Sequence, residues 1–167
     1  MNFQYWFDMP NKWTFNMTKI NRYLAKIIQK HKKILIPFAG EYRFTEFPYL
    51  DFTYCDIEEN LPKPYLKGNI MDLLPTLGKF DLIISDPPYS MHQAHISYNN
   101  KDMIQMTALK IQYDDHLENH GEIIHFGFNS TGMAKKRGYV KHELCIVNGG
   151  GEHNDILILR EQKQHLL

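Results

Sequence analysis

The sequence predicts an α/β protein with a mostly parallel sheet that closes on a C-terminal antiparallel hairpin. Short apolar runs alternate with stretches whose apolar residues recur at helical spacing, which is the pattern of βαβ units. The last two apolar runs, residues 143–147 and 156–159, are separated by the Gly-rich stretch 148–155, which is typical of a wide hairpin. An antiparallel pair at one edge of a parallel sheet is common in mixed sheets.

Length and composition indicate a single globular domain over residues 1–167. The chain is 43% hydrophobic and 23% charged, and a chain of this length buries roughly 70% of its unfolded surface. Lys+Arg and Asp+Glu balance at 19 each. The chain therefore has no overall positive field to attract nucleic acid, although one local basic patch remains compatible with this balance.

The cysteine content and hydropathy predict a reduced, cytoplasmic protein with no membrane association. Cys55 and Cys145 are the two cysteines, and both fall inside predicted strands. They fit buried, reduced thiols better than a disulfide. No apolar run approaches the length that spans a bilayer, and the N-terminus has no apolar signal core.

The N-terminal half is predicted to contain one helix and three strands. Residues 1–17 are aromatic and irregular in pattern, and Pro10 interrupts them. From Thr18, apolar residues lie on one helical face as far as residues 30–33, with Asn16 or Thr18 available as the cap. Apolar runs then predict strands that begin at residues 34, 52 and 80, and a strand end with a short helix is predicted around residues 66–75.

A second long helix is predicted over residues 101–119, followed by a strand at 121–127. One apolar stripe at helical spacing supports the helix, and a stripe that contains methionine is more often core than a cofactor site. The stripe consists of Met103, Met106, Leu109, Tyr113 and Leu117.

The most informative stretch is Asp86-Pro87-Pro88-Tyr89, directly after the apolar strand at residues 80–85. The two prolines end the strand and stiffen the backbone, because each fixes φ and lacks an N–H. The Asp86 carboxylate and the Pro87 carbonyl can accept hydrogen bonds from an amino group, and the Tyr89 ring can stack on a planar ring. The alternative is a tight Pro-Pro turn with an exposed tyrosine and no function.

This turn resembles the signature of the S-adenosylmethionine-dependent amino-methyltransferases, which methylate the exocyclic amino group of adenine or cytosine. The resemblance extends over most of the chain. It implies a Rossmann-like class I methyltransferase fold, S-adenosyl-L-methionine as cofactor, and a catalytic domain without a separate target-recognition domain. In the family, the four residues Asp86, Pro87, Pro88 and Tyr89 would form the catalytic turn.

A second match lies at Pro37-Phe38-Ala39-Gly40, which resembles the cofactor-binding loop of the same family. The glycine lets the backbone approach a ligand at the carboxyl end of a strand. In the family this loop usually continues as Ser-Gly-Thr, whereas here residues 41–43 are Glu-Tyr-Arg. The second glycine of the loop is therefore missing.

Further cofactor contacts are implied at three other places. Asp56 lies sixteen positions after Gly40, a spacing at which an acid accepts hydrogen bonds from ribose hydroxyls; a solvated acid is the alternative. Ile57 would lie against the adenine, and Asn69 occupies the place of a family aspartate whose hydrogen bond an amide oxygen can also accept. The remaining expected contacts are Trp13, Thr14 and Phe15 at the methionine end of the cofactor, Ile70, and Asp86.

The expected reaction is methylation of adenine-N6 in DNA. The acid at Asp86 favours adenine, because family members that act on cytosine more often have serine there, and the absence of a recognisable RNA-binding module favours DNA. The alternatives are an RNA amino-methyltransferase that acts on guanine or adenine, and a non-catalytic accessory subunit. The missing second glycine favours an accessory subunit, whereas the intact turn argues against it.

Target choice would depend on loops, on a homodimer partner or on an accessory specificity subunit. A basic patch, Lys135, Lys136, Arg137 and Lys141, is a candidate for contacts with nucleic-acid phosphates, although a solvated charged loop fits it as well. His92 and His95 lack a converging set of Cys or carboxylate ligands, so no metal is expected.

Overall fold

The computed structural model describes residues 1–88, 105–133, 135–151 and 153–164. These residues form an eight-stranded sheet with helices on both faces. The strands are β1 (Asn2–Phe7), β2 (Lys33–Ile36), β3 (Asp51–Asp56), β4 (Leu66–Lys67), β5 (Phe80–Ser85), β6 (Leu117–Gly127), β7 (Tyr139–Asn148) and β8 (Ile156–Lys163). The helices are α1 (Thr18–Ile28), α2 (Ile70–Leu73) and α3 (Met106–His116), with single 3-10 turns at Thr14–Asn16, Leu74–Thr76 and Lys135–Arg137.

The sheet is mixed and mostly parallel, with the strand order β1-β7-β8-β6-β5-β2-β3-β4. β8 runs antiparallel to both of its neighbours, β6 and β7, whereas every other pair is parallel. The predicted α/β class and the predicted C-terminal hairpin of β7 and β8 are both confirmed. The antiparallel strand lies inside the sheet, because β8 inserts between β6 and β7.

The edge beside the hairpin is formed by β1, in the segment that was expected to be irregular. β1 pairs in parallel with β7, so that Tyr5 lies opposite Ile146. Its alternation is visible in the structure, because Phe3 and Tyr5 are exposed while Trp6 contacts the Tyr23 ring on the α1 side. The prediction failed because the hydropathy of the strand does not mark its buried face: the aromatic residues Phe3 and Tyr5, which alternate with polar Asn2 and Gln4, are themselves exposed.

α1 forms where helical spacing predicted it, but its N-terminal cap was predicted wrongly. Met17 is the N-cap residue, and its side chain makes no capping hydrogen bond. The Asp8 carboxylate, at the end of β1, supplies the cap instead: its Oδ2 accepts the N–H groups of Lys19 at 2.6 Å and Ile20 at 3.0 Å. An anionic acceptor at this position also interacts favourably with the positive end of the helix dipole.

α3 is shorter than the predicted helix at its C-terminal end. It ends at His116, because Leu117 is already paired with Phe80 at the start of β6. Leu109 is fully buried as expected, whereas Met106 is 39% exposed. Met103 lies outside the described residues.

Two hydrophobic layers cover the sheet, one on each face. Leu24 of α1 packs in the first layer with strand residues such as Ile84 and Ile124. Leu109 of α3 packs in the second layer with Ile83 and other strand residues. Because successive strand residues point to opposite faces, neighbouring positions such as 83 and 84 fall into different layers.

Both cysteines are free and fully buried, as predicted. Burial raises the pKa of the Cys55 thiol and of the Cys145 thiol to about 12, so both remain protonated and unreactive at neutral pH. Among the described helices, none has the length and apolar character that a bilayer crossing requires.

Candidate functional site

The predicted site residues converge at the carboxyl edge of the parallel strands. The loop 37–40 follows β2, Asp56 ends β3, Asn69 follows β4, and residues 86–88 follow β5. Backbone hydrogen bonds join the first three segments: Ala39 N–H donates to the Cys55 carbonyl at 3.1 Å, and Gly68 N–H donates to the Asp56 carbonyl at 3.0 Å. Ligands in open α/β sheets bind at this edge.

The Asp56 side chain holds the loop that follows β2. Its Oδ2 accepts the Gly40 N–H at 2.8 Å, and its Oδ1 accepts the Glu58 N–H at 2.9 Å. Asp56 is only 4% exposed. Each carboxylate oxygen can accept a further hydrogen bond. The expected hydrogen bonds from the ribose would therefore be additional to the two that Asp56 already accepts from the backbone.

Gly40 is required at its position by the Trp13 ring. Its φ is +55°, in the left-handed region, and an added Cβ would lie 2.5 Å from Cε3 of Trp13. The group that approaches the Gly40 backbone closely is therefore the Trp13 ring, where a ligand was expected. The Lys12 ammonium lies 4.6 Å from the centroid of this ring. The contact brings the N-terminal segment and the loop after β2 together, as the two expected cofactor-binding segments require.

Arg43 replaces the missing second glycine as the residue that fixes the loop. Its guanidinium donates to the carbonyls of Gly40 at 2.9 Å, Tyr42 at 2.7 Å and Pro64 at 3.1 Å. It also lies 4.7 Å from the Tyr54 ring centroid. Burial lowers the pKa of Arg43, an effect opposed by nearby Tyr54 and Asp56. Sequence reasoning missed this role, since it treated residues 41–43 only as a departure from the family pattern.

Several other residues expected to contact the cofactor have structural roles in the fold. Phe15 is 3% exposed and packs edge-on against Phe126 at 5.6 Å, and Ile70 is 2% exposed. Both side chains therefore belong to the core. Asn69 caps α2, because its Oδ1 accepts the Met71 N–H at 2.9 Å. Thr14 and Ile57 are half-buried.

The start of the Asp-Pro-Pro-Tyr turn is held rigidly by the strand below it. Ser85 is fully buried, and its Oγ lies 2.9 Å from the Tyr113 hydroxyl of α3. Pro87 is buried, whereas Asp86 and Pro88 are half-buried. Tyr89 lies outside the described residues, as do His92 and His95. In the described part of the chain, no three His, Cys, Asp or Glu side chains converge in a geometry that could hold a metal ion.

A cavity of about 220 Å³ lies directly beside this turn. Its lining includes Pro87, Pro88, Lys110, His125 and Gly127. His125 reaches it because β6 pairs in parallel with β5, which places His125 opposite Ser85. Sequence reasoning missed His125 as a candidate site residue. A residue at the carboxyl end of the neighbouring strand would be a candidate, but the sequence did not reveal that β6 is the neighbour of β5.

One wall of this cavity contains Lys110 and His125, and both interact with the buried acid Glu161. His125 Nε2 lies 3.4 Å from Oε2 of Glu161, which is 1% exposed and also accepts the Met133 N–H at 2.7 Å. Burial lowers the pKa of His125, and Glu161 opposes this shift. Burial also lowers the pKa of Lys110, with Glu161 opposing and Arg137 and Lys141 reinforcing the shift.

The basic patch from the sequence lies partly near this cavity. Lys135 and Lys136 are exposed on a 3-10 turn, and Arg137 is half-buried. The Lys141 ammonium donates to the Ser130 carbonyl. Arg137 and Lys141 are near enough to lower the pKa of Lys110, which lines the cavity.

Comparisons with known proteins match the fold and not the sequence. Neither a protein-family model nor a curated protein matches the chain. Among solved structures, the N-methyltransferase NodS from Bradyrhizobium japonicum WM9, in complex with S-adenosyl-L-homocysteine, superposes with a TM-score of 0.63 at 14% identity, covering 93% of this chain and 90% of NodS. Precorrin-6y C5,15-methyltransferase from Geobacter metallireducens GS-15 gives 0.65 at 11% identity, covering 93% of both chains.

The chain has the class I methyltransferase fold. TrmN from Thermus thermophilus has the same fold with a TM-score of 0.62 at 13% identity, covering 88% of this chain and 49% of TrmN, so this chain spans about half the length of TrmN. The expectation of S-adenosyl-L-methionine as cofactor agrees with these neighbours, one of which holds the demethylated cofactor product.

Within the class I methyltransferase fold, the residues at the carboxyl edge fit an adenosyl cofactor. The Asp56 carboxylate and the Asn69 amide offer hydrogen-bond acceptors at the ends of β3 and β4. Arg43 keeps the loop after β2 in one conformation without the second glycine. These side chains are therefore compatible with the cofactor. The loop after β2 is built differently from the family pattern.

Proposed function

We propose that this protein is an S-adenosylmethionine-dependent methyltransferase that modifies the exocyclic amino group of a nucleic-acid base, with adenine-N6 in DNA as the preferred target. The observation that supports the proposal most strongly is the position of Asp86, Pro87 and Pro88. They follow β5, the strand paired with β2, whose own loop contains Gly40. An amino-binding turn and a cofactor loop on adjacent strands are the arrangement that methyl transfer needs.

The cofactor would be held by the Gly40 loop, by the oxygens of Asp56 and Asn69, and by Ile57. When bound there, S-adenosyl-L-methionine supplies an electrophilic methyl group on a sulfonium. The residues of this chain orient the methyl group and the acceptor toward each other. Asp56 would help to orient the cofactor, because it fixes the cofactor loop through the N–H groups of Gly40 and Glu58.

The acceptor amino group would be activated by the turn after β5. An aromatic NH2 is a weak nucleophile, because its lone pair is delocalised into the ring. Hydrogen bonds from this NH2 to the Asp86 carboxylate and to the Pro87 carbonyl favour a pyramidal nitrogen and stabilise its developing positive charge. The acceptor nitrogen would take the methyl carbon from the sulfonium, S-adenosylhomocysteine would leave, and the nitrogen would then lose one proton to water. Stacking of the base on Tyr89 is part of the proposal.

The cavity beside Pro87 and Pro88 is the proposed position of the target base. Its volume of about 220 Å³ is smaller than the pockets of about 300–1,000 Å³ that hold larger ligands, which suits a single ring system. A base from a duplex would have to leave the stack to enter it. Lys110 lines this cavity, and Arg137 and Lys141 are near enough to lower its pKa, so these three cations are the proposed contacts for the phosphates attached to the base.

The identity of the methylated product tests this proposal. The protein is incubated with labelled S-adenosylmethionine and either DNA or RNA, the polymer is digested, and the nucleosides are separated. We expect label in N6-methyldeoxyadenosine. Label only in RNA, or in a methylated guanosine, would overturn the adenine-in-DNA target and leave methyl transfer to a base amino group standing.

The accessory-subunit alternative is favoured by one observation, the absence of the second glycine after Gly40. Calorimetric titration with S-adenosylmethionine separates it from an active enzyme. Binding with a dissociation constant in the micromolar range supports the enzyme. The absence of binding in a folded sample would favour the accessory subunit, because the Arg43 and Asp56 contacts would then only hold the loop.

A further inference from the structure

A second cavity, of about 450 Å³, lies on the α1 side of the sheet beside the edge strand β1. We refer to it as the α1 groove. It is enclosed by one face of α1 and by β1, β7 and β8, and none of its lining residues belongs to the proposed catalytic site. Its lining includes Trp6, Tyr23 and Glu143 together with several basic side chains.

The α1 groove is strongly cationic, although the chain as a whole is neutral. Four cations follow one side of α1 and the turn after it, and Arg160 of β8 adds a fifth; the four are Lys19, Arg22 and Lys26 of α1 and Lys30 of the turn. All four are exposed. The distance along the helix axis from residue 19 to residue 26 is about 10 Å at 1.5 Å per residue, so the cations are spread along the groove as contacts with more than one phosphate of a strand require.

The single acidic residue of the groove is already occupied by neighbouring donors. Glu143 is 7% exposed. Its Oε1 accepts from Gln4 Nε2 at 2.5 Å, and its Oε2 accepts from the Tyr23 hydroxyl at 2.8 Å and lies 3.8 Å from Arg160 Nε. The carboxylate therefore neutralises Arg160 at the base of the groove, and among the described lining residues no other acid matches the four exposed cations.

The wall of the groove also has more hydrogen-bond donors than acceptors. The Trp6 indole Nε1 and the Arg160 Nε are buried, and neither has a hydrogen-bond acceptor within the described parts of the chain. Arg160 Nε is nevertheless within ion-pair range of Glu143, at 3.8 Å. The exposed cations of the groove favour a ligand that accepts hydrogen bonds and is negatively charged, which describes a phosphate group.

The groove begins at the same sheet edge as the proposed catalytic turn. Lys19 lies in the first turn of α1, which is anchored by Asp8 at the carboxyl end of β1. Because β1, β7, β6 and β5 are mutually parallel, this end of α1 lies at the edge where Asp86 follows β5. The groove then extends from that edge along α1 toward Lys30.

We infer that the α1 groove binds a chain of linked phosphates and that its occupant is the sugar-phosphate backbone of a nucleic-acid strand that leads away from the catalytic edge. The site stands on its own charges and donors, whereas its nucleic-acid occupant rests on the proposed function. It differs from the basic patch at residues 135–141, which lies on another element, and it gives the neutral chain a second contact with a polyanion.

Charge reversal in the groove tests the inference with the full-length chain. Arg22→Glu/Lys26→Glu is compared with Lys63→Glu/Lys79→Glu, which makes the same change of charge at exposed lysines outside the groove. Binding of a fluorescein-labelled 20-mer single-stranded oligonucleotide is followed by anisotropy without cofactor. We expect the groove variant to bind at least tenfold more weakly and the control to remain within twofold of the unchanged protein.

The dependence of binding on salt provides a second measurement. Each lost phosphate contact lowers the slope of log K against log salt concentration by about 0.7 for single strands, so the groove variant should lose about 1.4 units and the control should lose none. Arg22→Lys/Lys26→Arg keeps both charges and should retain binding. Thermal unfolding of every variant verifies that each is folded.

Three results would overturn the inference. These are equal losses in the groove and control variants, no loss in the groove variant, or tight groove-dependent binding of tripolyphosphate with no binding of the oligonucleotide. The proposed function fails separately. If groove-dependent oligonucleotide binding is found but no nucleic acid is methylated, the groove stands and the reaction does not, whereas methylation with unaffected binding in the groove variant refutes the groove alone.

Discussion

Replacing Asp56 distinguishes a purely structural role of this carboxylate from a role in cofactor binding. The side chain is 4% exposed and accepts N–H groups from Gly40 and Glu58 at 2.8 and 2.9 Å. Asp56→Ala removes both acceptors. The Gly40 N–H then remains buried without a partner, whereas the Glu58 N–H is in a half-buried residue that water can reach more easily.

The expected cost follows from these two hydrogen bonds. Leaving a buried donor unsatisfied costs about 1–3 kcal/mol, and hydrogen bonds to charged groups lie in the upper part of the usual range. We expect Asp56→Ala to lower the free energy of unfolding by about 2–4 kcal/mol, with most of the loss at Gly40. Asp56→Asn retains one acceptor oxygen, so its loss should be about half as large.

Urea unfolding at neutral pH measures the first effect, and Glu59→Ala is the matched control, because Glu59 is an exposed acid of the same segment that is paired only with Lys67. The control should leave the unfolding free energy unchanged. An Asp56→Ala protein as stable as the control would refute the structural role that the two hydrogen bonds assign to this side chain.

Calorimetric titration of the same variants with S-adenosylmethionine, at a temperature where all are folded, measures the second effect. If Asp56 also accepts ribose hydroxyls, Asp56→Ala should weaken binding by about 1–3 kcal/mol. A destabilised but normally binding variant would restrict Asp56 to holding the loop.

Three further predictions concern the turn and the buried histidine. Asp86→Ala should abolish most methyl transfer and leave the thermal unfolding curve nearly unchanged, whereas Asp115→Ala, at an exposed acid of α3, should retain activity; equal activity of the two variants would contradict the role of Asp86. Tyr89→Ala should reduce activity more than Tyr89→Phe, since stacking needs only the ring, and equal losses would show that the hydroxyl takes part. Burial lowers the pKa of folded His125 below the value of about 6.5 of an unfolded histidine, so the unfolded chain binds the extra proton first as the pH falls. Stability should therefore be complete above about pH 6.5 and decline below it, and urea unfolding of His125→Gln should show a weaker decline.

The sequence by itself determined the elements whose signals are local. Apolar runs predicted β2, β3 and β5, and helical spacing predicted α1 at its observed start, Thr18. The Gly-rich stretch at 148–155 predicted the hairpin of β7 and β8. Each of these signals depends on residues within one element or its adjoining turn, and burial of one face is enough to produce it.

Only the tertiary structure decided which distant elements meet. β1 exists as a strand because β7, far along the chain, offers it a partner, and Asp8 caps α1 because β1 places it there. In the same way, the pairing of β5 with β6 brings His125 to the level of Ser85, beside the turn. The α1 groove is likewise formed by α1, β1 and the hairpin together. These contacts join residues that are far apart in sequence, and no local periodicity records which strands will be neighbours.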